Sequence, residues 1–137
     1  MKIFNVIATA ALLAMASLQA QAGALQEILS TGVLKVGTTG DWNPMTMKDP
    51  ETNTYSGYDI DVMTALAADL EVEVEFVPTE WKTLVAGVTA GKYHMTGSAS
   101  ISPGRAKATG YSDSYFSLAT VPVTLKSNAD RFKDWGD

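Results

Sequence analysis

Two kinds of hydrophobic periodicity follow each other in the middle of this chain. In the first, apolar residues recur at the spacing of one buried helical face: Ile60, Met63, Ala67 and Leu70. In the second, apolar residues alternate with glutamates over residues 71–76, and the pattern stops at Pro78. This period of two predicts a strand with one apolar and one acidic face. A helix that begins after Gly57 is therefore expected to lead directly into a strand.

Shorter patterns predict the remaining elements. Three further strands are expected, at residues 34–37, 93–97 and 118–126. A loop is expected at residues 38–44, and a helix at residues 81–90 that stops at Gly91. Ser102 and Pro103 stand in the order of an N-cap followed by proline at the first helical position. Strands that alternate with helices predict an α/β fold with a mostly parallel sheet flanked by helices.

Residues 1–22 are expected to be a signal peptide and not part of the fold. Lys2 supplies a positive start, residues 3–16 form an apolar core, and Ala20-Gln21-Ala22 has the small-x-small pattern of a cleavage site. The apolar run is shorter than the roughly 20 residues that span a bilayer. We therefore expect export to the periplasm, with cleavage of the signal peptide.

Composition narrows the classes of function. The chain has 15 acidic and 10 basic residues, without the basic cluster that nucleic-acid binding calls for. It has no cysteine, which excludes disulfides and a lipid-anchored cysteine, and its single histidine, His94, cannot assemble a metal site. We expect His94 to be a satisfied core or edge residue. The glycine pattern matches no phosphate or dinucleotide loop, and no catalytic set emerges, so no cofactor is expected.

Two segments resemble the bacterial extracellular solute-binding proteins of family 3, which capture polar amino acids. Residues 57–63 read Gly-Tyr-Asp-Ile-Asp-Val-Met and are followed by small apolar residues at helical spacing, as in that family's signature; residues 98–105 read Ser-Ala-Ser-Ile-Ser-Pro-Gly-Arg. The resemblance implies a periplasmic-binding-protein-like fold of type II, in which two lobes close on a ligand. Residues 23–119 would be its first lobe. Residues 120–137 would be the hinge crossing and the start of a second lobe that is absent from this sequence.

The segment from Ser98 to Arg105 is the predicted ligand site. A helix start after a strand offers backbone N–H groups and the positive end of a dipole, and a guanidinium can grip a carboxylate with two parallel hydrogen bonds. From the residues alone, Arg105 is expected to be an exposed helix arginine rather than a ligand contact. The resemblance implies that Arg105 and Ser100 hold the ligand carboxylate and that the main chain of Ser98 faces the ligand ammonium. Ser102 is expected to cap its own helix.

Four other polar or aromatic residues bear on the site. Trp42 stands where the family usually has Tyr or Phe, and its indole either stacks on the ligand or packs on the lobe surface. Thr39 stands where many amino-acid binders carry an aspartate, which argues against a ligand with a cationic side chain. Asp59 and Asp61 begin a helix, and their expected role is capping and neutralising the helix dipole.

Two functions of different classes follow. The first is the substrate-binding component of an ABC importer for polar amino acids or related small carboxylates, a monomer that meets a membrane permease. The second is a periplasmic cyclohexadienyl dehydratase, because residues 38–44, Thr-Thr-Gly-Asp-Trp-Asn-Pro, and residues 74–81 resemble those enzymes, which convert prephenate or arogenate by loss of water. In that case Arg105 would still hold a substrate carboxylate, and the catalytic acid would lie in the second lobe. One lobe alone is expected to bind weakly, since it cannot enclose a ligand.

We predict that protein recovered from the periplasm begins at Gly23. The reason is the small-x-small pattern after a short apolar core. Intact-mass measurement checks the prediction, and a periplasmic species that retains Met1 or Lys2 would contradict it.

Overall fold

Helices and strands alternate through the described part of the chain, which in this computed structural model covers residues 23–119, 121–131 and 134. The helices are α1 (Ala24–Thr31), α2 (Tyr58–Asp69), α3 (Leu84–Thr89), α4 (Pro103–Ala106) and a 3₁₀ helix (Lys126–Arg131). The strands are β1 (Val33–Thr38), β2 (Asp41–Trp42), β3 (Thr46–Lys48), β4 (Tyr55–Ser56), β5 (Glu73–Pro78) and β6 (Met95–Thr96). The expected signal peptide, residues 1–22, lies outside the described residues.

A parallel sheet in the order β5-β1-β6 forms the centre of the fold. β1 pairs with β5 along its whole length, from Val33 opposite Glu73 to Thr38 opposite Pro78, and residues 36–37 pair with β6. Because the strands run in the same direction, their carboxyl ends and the loops that follow them meet at one edge. β2, β3 and β4 form a small antiparallel sheet of their own. The α/β class with parallel strands and flanking helices is thereby confirmed.

The predicted apolar face of α2 packs on this sheet. Its residues are buried or half-buried: Ile60, Met63, Ala67 and Leu70. The core cluster that Met63 and Ala67 join also contains residues of α1 and β1, namely Ile28, Leu34 and Val36. Burial of an apolar side chain of this size contributes roughly 1.5–3 kcal/mol, so this face fixes α2 against the sheet. The helical prediction for residues 57–70 is confirmed.

The alternation in β5 is also confirmed. Val74 and Phe76 are half-buried and pack against the core cluster, whereas Glu73 and Glu75 are exposed. The strand ends at Pro78, as predicted. Since β5 is the outer strand of the described sheet, the missing N–H of this proline is tolerated there.

His94 links three elements of the fold. Its ring Nδ1 accepts a hydrogen bond from the main-chain N–H of Lys35 at 3.0 Å. The main-chain N–H of His94 donates to the Lys35 carbonyl at 2.9 Å. Its Nε2 lies 3.6 Å from Glu27 Oε1 of α1, and only 9% of the His94 side chain is exposed. The expected role as a satisfied core or edge residue is confirmed.

Two predicted elements are shorter than expected, and one loop contains a strand. α3 begins about one turn late, at Leu84, because the Thr83 N–H donates to the Glu80 carbonyl in a turn at 2.9 Å. β6 occupies only part of the strand expected at residues 93–97, since two residues alone pair with β1. The first loop, expected over residues 38–44, includes β2, which pairs with β3.

The strand prediction for residues 118–126 is wrong in the part that the structure describes. Residues 118–119 and 121–125 have no regular structure, and the 3₁₀ helix follows them. The apolar alternation is present, but its side chains are exposed: Val121 at 69%, Val123 at 92% and Leu125 at 72%. A strand needs a neighbouring backbone to satisfy its N–H and C=O groups, and neither described sheet pairs with this segment.

We predict that Gly37→Ala destabilises the fold by about 1–3 kcal/mol, the usual cost of overpacking. A Cβ at Gly37 would lie 2.5 Å from Cε2 of Tyr93, whose ring is only 2% exposed and whose hydroxyl donates to the Leu84 carbonyl at 2.7 Å. The ring therefore has no room to move away. Urea denaturation measures the change.

The matched control is Gly110→Ala. A Cβ at Gly110 meets no atom within 4 Å, so the same substitution there should leave the free energy of unfolding nearly unchanged. Equal midpoints for Gly37→Ala and the wild type would contradict the prediction.

Candidate functional site

An open cleft of about 550 Å³ lies beside β6 and the loop that follows it. Its other walls are formed by α3 and by residues 109–118. The volume lies within the ~300–1,000 Å³ that is usual for small-molecule sites. Three of the four residues that the sequence indicated for the ligand line this cleft: Trp42, Ser98 and Ser100.

Arg105, the fourth of these residues, is tied to the cleft through the main chain of Ser100. Its Nη1 donates to the Ser100 carbonyl at 3.1 Å, and its side chain lies half-buried in α4. Ser102 caps α4 as expected, because its Oγ accepts the Arg105 N–H at 3.4 Å. A guanidinium carries five N–H donors in a planar fork, so a bond to one carbonyl still leaves donors for a carboxylate.

The loop after β6 has an unusual backbone conformation at Ser98. The φ angle of Ser98 is 51°, in the left-handed region that residues other than glycine rarely adopt. Its N–H donates to the Tyr115 hydroxyl at 3.0 Å. With the N–H engaged, the acceptors that Ser98 can offer an ammonium are its carbonyl and its hydroxyl.

Asp59 has a different environment from the one that the sequence suggested. It lies in the first turn of α2 and is only 5% exposed, and its Oδ1 accepts the Tyr115 hydroxyl at 2.8 Å. Asp61, by contrast, is exposed in the same turn. The N-cap of α2 is Gly57 and no side chain caps the helix, so the expected capping by Asp59 and Asp61 is wrong. Both carboxylates lie in the first turn, at the positive end of the helix dipole, and Asp59 also supports the loop at Ser98 through Tyr115.

Tyr115 is the residue that sequence analysis missed at this site. Its partners Asp59 and Ser98 lie 56 and 17 residues away along the chain, so no local pattern connects them. One signal was present, however. Asp59 precedes Met63 by four residues and Ala67 by eight, which places its carboxylate on the buried face of the helix.

Trp42 combines the two placements that the sequence left open. It lines the cleft, and its indole also packs edge-on against Trp81, with ring centroids 5.3 Å apart and an interplanar angle of 68°. The Trp81 Nε1 donates to Asp41 Oδ1 at 2.9 Å and so fixes the second ring. The Trp42 side chain thus lines the cleft and is supported by Trp81.

Thr39 directly follows β1. Its Oγ1 is buried and has no hydrogen-bond partner among the described residues. A small cavity of about 10 Å³ is lined by Thr39, Asp59 and Ser98 among others. A cavity of that size has room for about one water molecule.

Among the described residues, no group of three or more His, Cys, Asp or Glu side chains is placed to hold a metal ion. None of the described helices has the length and apolar character that a membrane span requires.

Residues 34–132 match the family model of bacterial extracellular solute-binding proteins, family 3. A cyclohexadienyl dehydratase of Pseudomonas aeruginosa is 38% identical over 128 residues, which cover 93% of this chain and 47% of that protein. The L-cystine-binding protein TcyA of Bacillus subtilis is 34% identical over 103 residues, which cover 75% of this chain and 38% of that protein. This chain therefore spans less than half the length of either relative.

Solved structures show the same fold. An ancestral cyclohexadienyl dehydratase superposes with a TM-score of 0.64 at 43% identity, covering 80% of this chain and 45% of that one. The arginine-bound domain 1 of an arginine-binding protein from T. maritima superposes with a TM-score of 0.61 at 32% identity, covering 66% of this chain and 71% of that domain.

We predict that Asp59→Asn lowers the pKa of the Tyr115 phenol. Burial is the main cause that raises this pKa above its ordinary value of 10.0; the Ser98 N–H lowers it, and the Asp59 carboxylate raises it. Removing the charge at Asp59 should leave the effect of burial and shift the pKa partway toward its ordinary value. ¹³C NMR of the tyrosine Cζ carbons between about pH 8 and 12 follows the titration.

Asp61→Asn is the control, since it removes the same charge from an exposed position in the same helical turn. It should leave the Tyr115 titration where it is in the wild type. An unshifted Tyr115 pKa in Asp59→Asn would show that the carboxylate does not act on the phenol.

Proposed function

Because the chain belongs to the bacterial extracellular solute-binding proteins of family 3, we propose that it forms the ligand-binding first lobe of a periplasmic receptor. The receptor would deliver a polar amino acid or a related small carboxylate to an ABC importer. One observation carries the proposal: Trp42, Ser98 and Ser100 line a single cleft, and Arg105 contacts the main chain of Ser100. These groups match the chemistry of a free amino acid.

Each part of such a ligand has a partner in this proposal. The carboxylate binds the guanidinium of Arg105 and the hydroxyl of Ser100, through charge-assisted hydrogen bonds that are stronger than neutral ones. The ammonium donates to the carbonyl of Ser98. The ligand side chain lies against the indole of Trp42, which also packs edge-on against Trp81. When a carboxylate arrives, the Arg105 contact with the Ser100 carbonyl is exchanged for the stronger charged partner.

Thr39 bears on which ligand is accepted. An acidic residue at this position would favour a cationic side chain, and the threonine hydroxyl carries no charge to do so. We therefore propose a ligand whose side chain has no net positive charge, and L-glutamine and L-cystine are suitable probes. This choice separates the proposal from the arginine that domain 1 of the T. maritima protein holds.

The arginine-bound domain 1 also bears on the affinity of one lobe. That relative holds its ligand as a single domain, which supports binding by the present lobe without a second one. Since good sites bury ~70–90% of their ligand, a lobe that leaves one side open to water should bind more weakly than a two-lobed protein. We propose weak binding here. Residues 120–137 would lead through the hinge into the second lobe, and residues 1–22 would direct the protein to the periplasm.

We predict that Arg105→Ala weakens amino-acid binding by about 2–5 kcal/mol in the two-lobed protein, the range found when one partner of a buried charge pair is truncated. Arg105→Lys should restore part of the affinity, because an ammonium carries the charge but cannot form the planar fork. Calorimetry with L-glutamine, L-cystine and L-arginine measures the dissociation constants.

Lys107→Ala is the matched control, since Lys107 is an exposed cation directly after the same short helix. Its loss should change the binding free energy by no more than about 0.5 kcal/mol, as for other surface substitutions. An equally small effect of Arg105→Ala would identify Arg105 as an exposed helix arginine without a ligand.

A cyclohexadienyl dehydratase is the second candidate function. It is favoured by the first loop, residues 38–44, and by the identities of 38% and 43% to a dehydratase and an ancestral dehydratase. Incubation of the two-lobed protein with prephenate, followed by NMR, separates the candidates. Consumption of prephenate that Arg105→Ala abolishes would favour the enzyme, and amino-acid binding without turnover would favour the receptor.

A further inference from the structure

A chain of two hydrogen bonds runs from the buried carboxylate of Asp59 to the backbone of the loop after β6 that carries Ser98 and Ser100, the ligand loop. Tyr115 donates its hydroxyl proton to Asp59 Oδ1 at 2.8 Å, and the Tyr115 hydroxyl oxygen accepts the Ser98 N–H at 3.0 Å. An ionised carboxylate only accepts hydrogen bonds, and a phenol has one proton to donate. The carboxylate therefore fixes the direction of both bonds, and the phenol oxygen is left to accept from Ser98.

The conformation of Ser98 requires such support. Ser98 has a φ of 51°, and a residue other than glycine persists in this strained left-handed region only where its surroundings define it. Gly97 allows Asp59 to approach closely: a Cβ there would lie 2.9 Å from the Asp59 carboxylate and 3.1 Å from the Tyr115 hydroxyl. The absence of a side chain at Gly97 thus makes room for Asp59 and the Tyr115 hydroxyl, whose hydrogen bond holds the neighbouring Ser98.

Tyr115 is itself held by the residue next to Asp59. The Tyr58 and Tyr115 rings stack with centroids 6.2 Å apart and an interplanar angle of 20°, and the Tyr58 hydroxyl donates to the Tyr115 carbonyl at 3.4 Å. The Phe116 ring also packs against the Tyr58 ring, with centroids 5.0 Å apart. The first turn of α2 therefore fixes both the ring and the main chain of Tyr115.

We propose that Asp59 and Tyr115 are positioning residues of the ligand site, which hold the Ser98 backbone in the conformation that presents its carbonyl to the ligand. Their action on the loop stands on the geometry alone, and their action on affinity rests on the proposed function. The same two bonds also join the loop after β6 to the segment after α4 that contains Tyr115.

Tyr115→Phe is the primary test, because it keeps the ring and its stacking on Tyr58 while it removes the hydroxyl. In the ¹⁵N-labelled chain, the Ser98 amide should exchange its hydrogen about tenfold faster, equivalent to about 1.4 kcal/mol and within the range of one lost hydrogen bond. Asp59→Asn keeps a neutral acceptor and should give a smaller increase. Adding Asp59→Asn to Tyr115→Phe should raise the exchange rate little further, since both act through one chain of bonds.

The controls are Asp61→Asn and Tyr55→Phe. Asp61 is an exposed carboxylate in the same turn, and Tyr55 is a half-buried tyrosine whose ring packs against Phe76 and which, within the described part of the chain, makes no hydrogen bond to Ser98 or Asp59. Both should leave Ser98 exchange unchanged. The Val36 amide in β1 should keep its protection in every variant, which separates a local effect from loss of the fold.

Calorimetry of the two-lobed protein with L-glutamine and L-cystine gives the second measurement. If the proposal holds, Tyr115→Phe raises the dissociation constant about tenfold and Asp59→Asn raises it less, in the same order as the exchange rates. Unchanged Ser98 exchange in Tyr115→Phe would overturn the proposal, as would faster exchange with unchanged affinity. Faster exchange in this chain, together with a two-lobed protein that binds none of L-glutamine, L-cystine and L-arginine, would support the action of Asp59 and Tyr115 on the loop and reject the receptor function.

Discussion

The pairing of β1 with a parallel strand on each side is the constraint on which the rest of this fold depends. Parallel neighbours cannot be joined by a tight hairpin, so α2 has to cross the sheet between β1 and β5. That crossing buries one face of α2 and brings its first turn, with Asp59, against Gly97 in the loop after β6. The cleft and the hydrogen bonds of Tyr115 lie at the edge where the parallel strands end.

Elements with a strong period of their own could be predicted from the sequence, whereas the presence of β2 and the true length of β6, which depend on pairing, could not. The helix and strand over residues 57–78 each carry several repeats of a single period, so local side-chain spacing is sufficient. β2 and β6 have two paired residues each, too few to show a period. Residues 118–126 have the period of a strand, yet no described strand pairs with them, and pairing is what a strand requires.

The same distinction applies to the candidate site. Ser98, Ser100 and Arg105 lie within one short segment, and a resemblance in that segment was enough to indicate them together. The contribution of Tyr115 depends on a turn of helix 56 residues away, which only the folded chain brings near. Asp59 shows why a local explanation can be incomplete: its place at a helix start suggests capping, while its place on the buried face brings it to the loop.

The packing around Tyr93 limits how this lobe can diverge in sequence. Gly37 on β1 and Gly87 on α3 both face the Tyr93 ring, one on either side, and neither has room for a methyl group. A larger residue at 37 or 87 would become acceptable only after the ring at 93 had been replaced by a smaller side chain. That first replacement would leave a cavity, at roughly 3–5 kcal/mol for an aromatic reduced to alanine. Each order of single changes thus passes through a less stable intermediate, and relatives that differ here are expected to differ at these positions together.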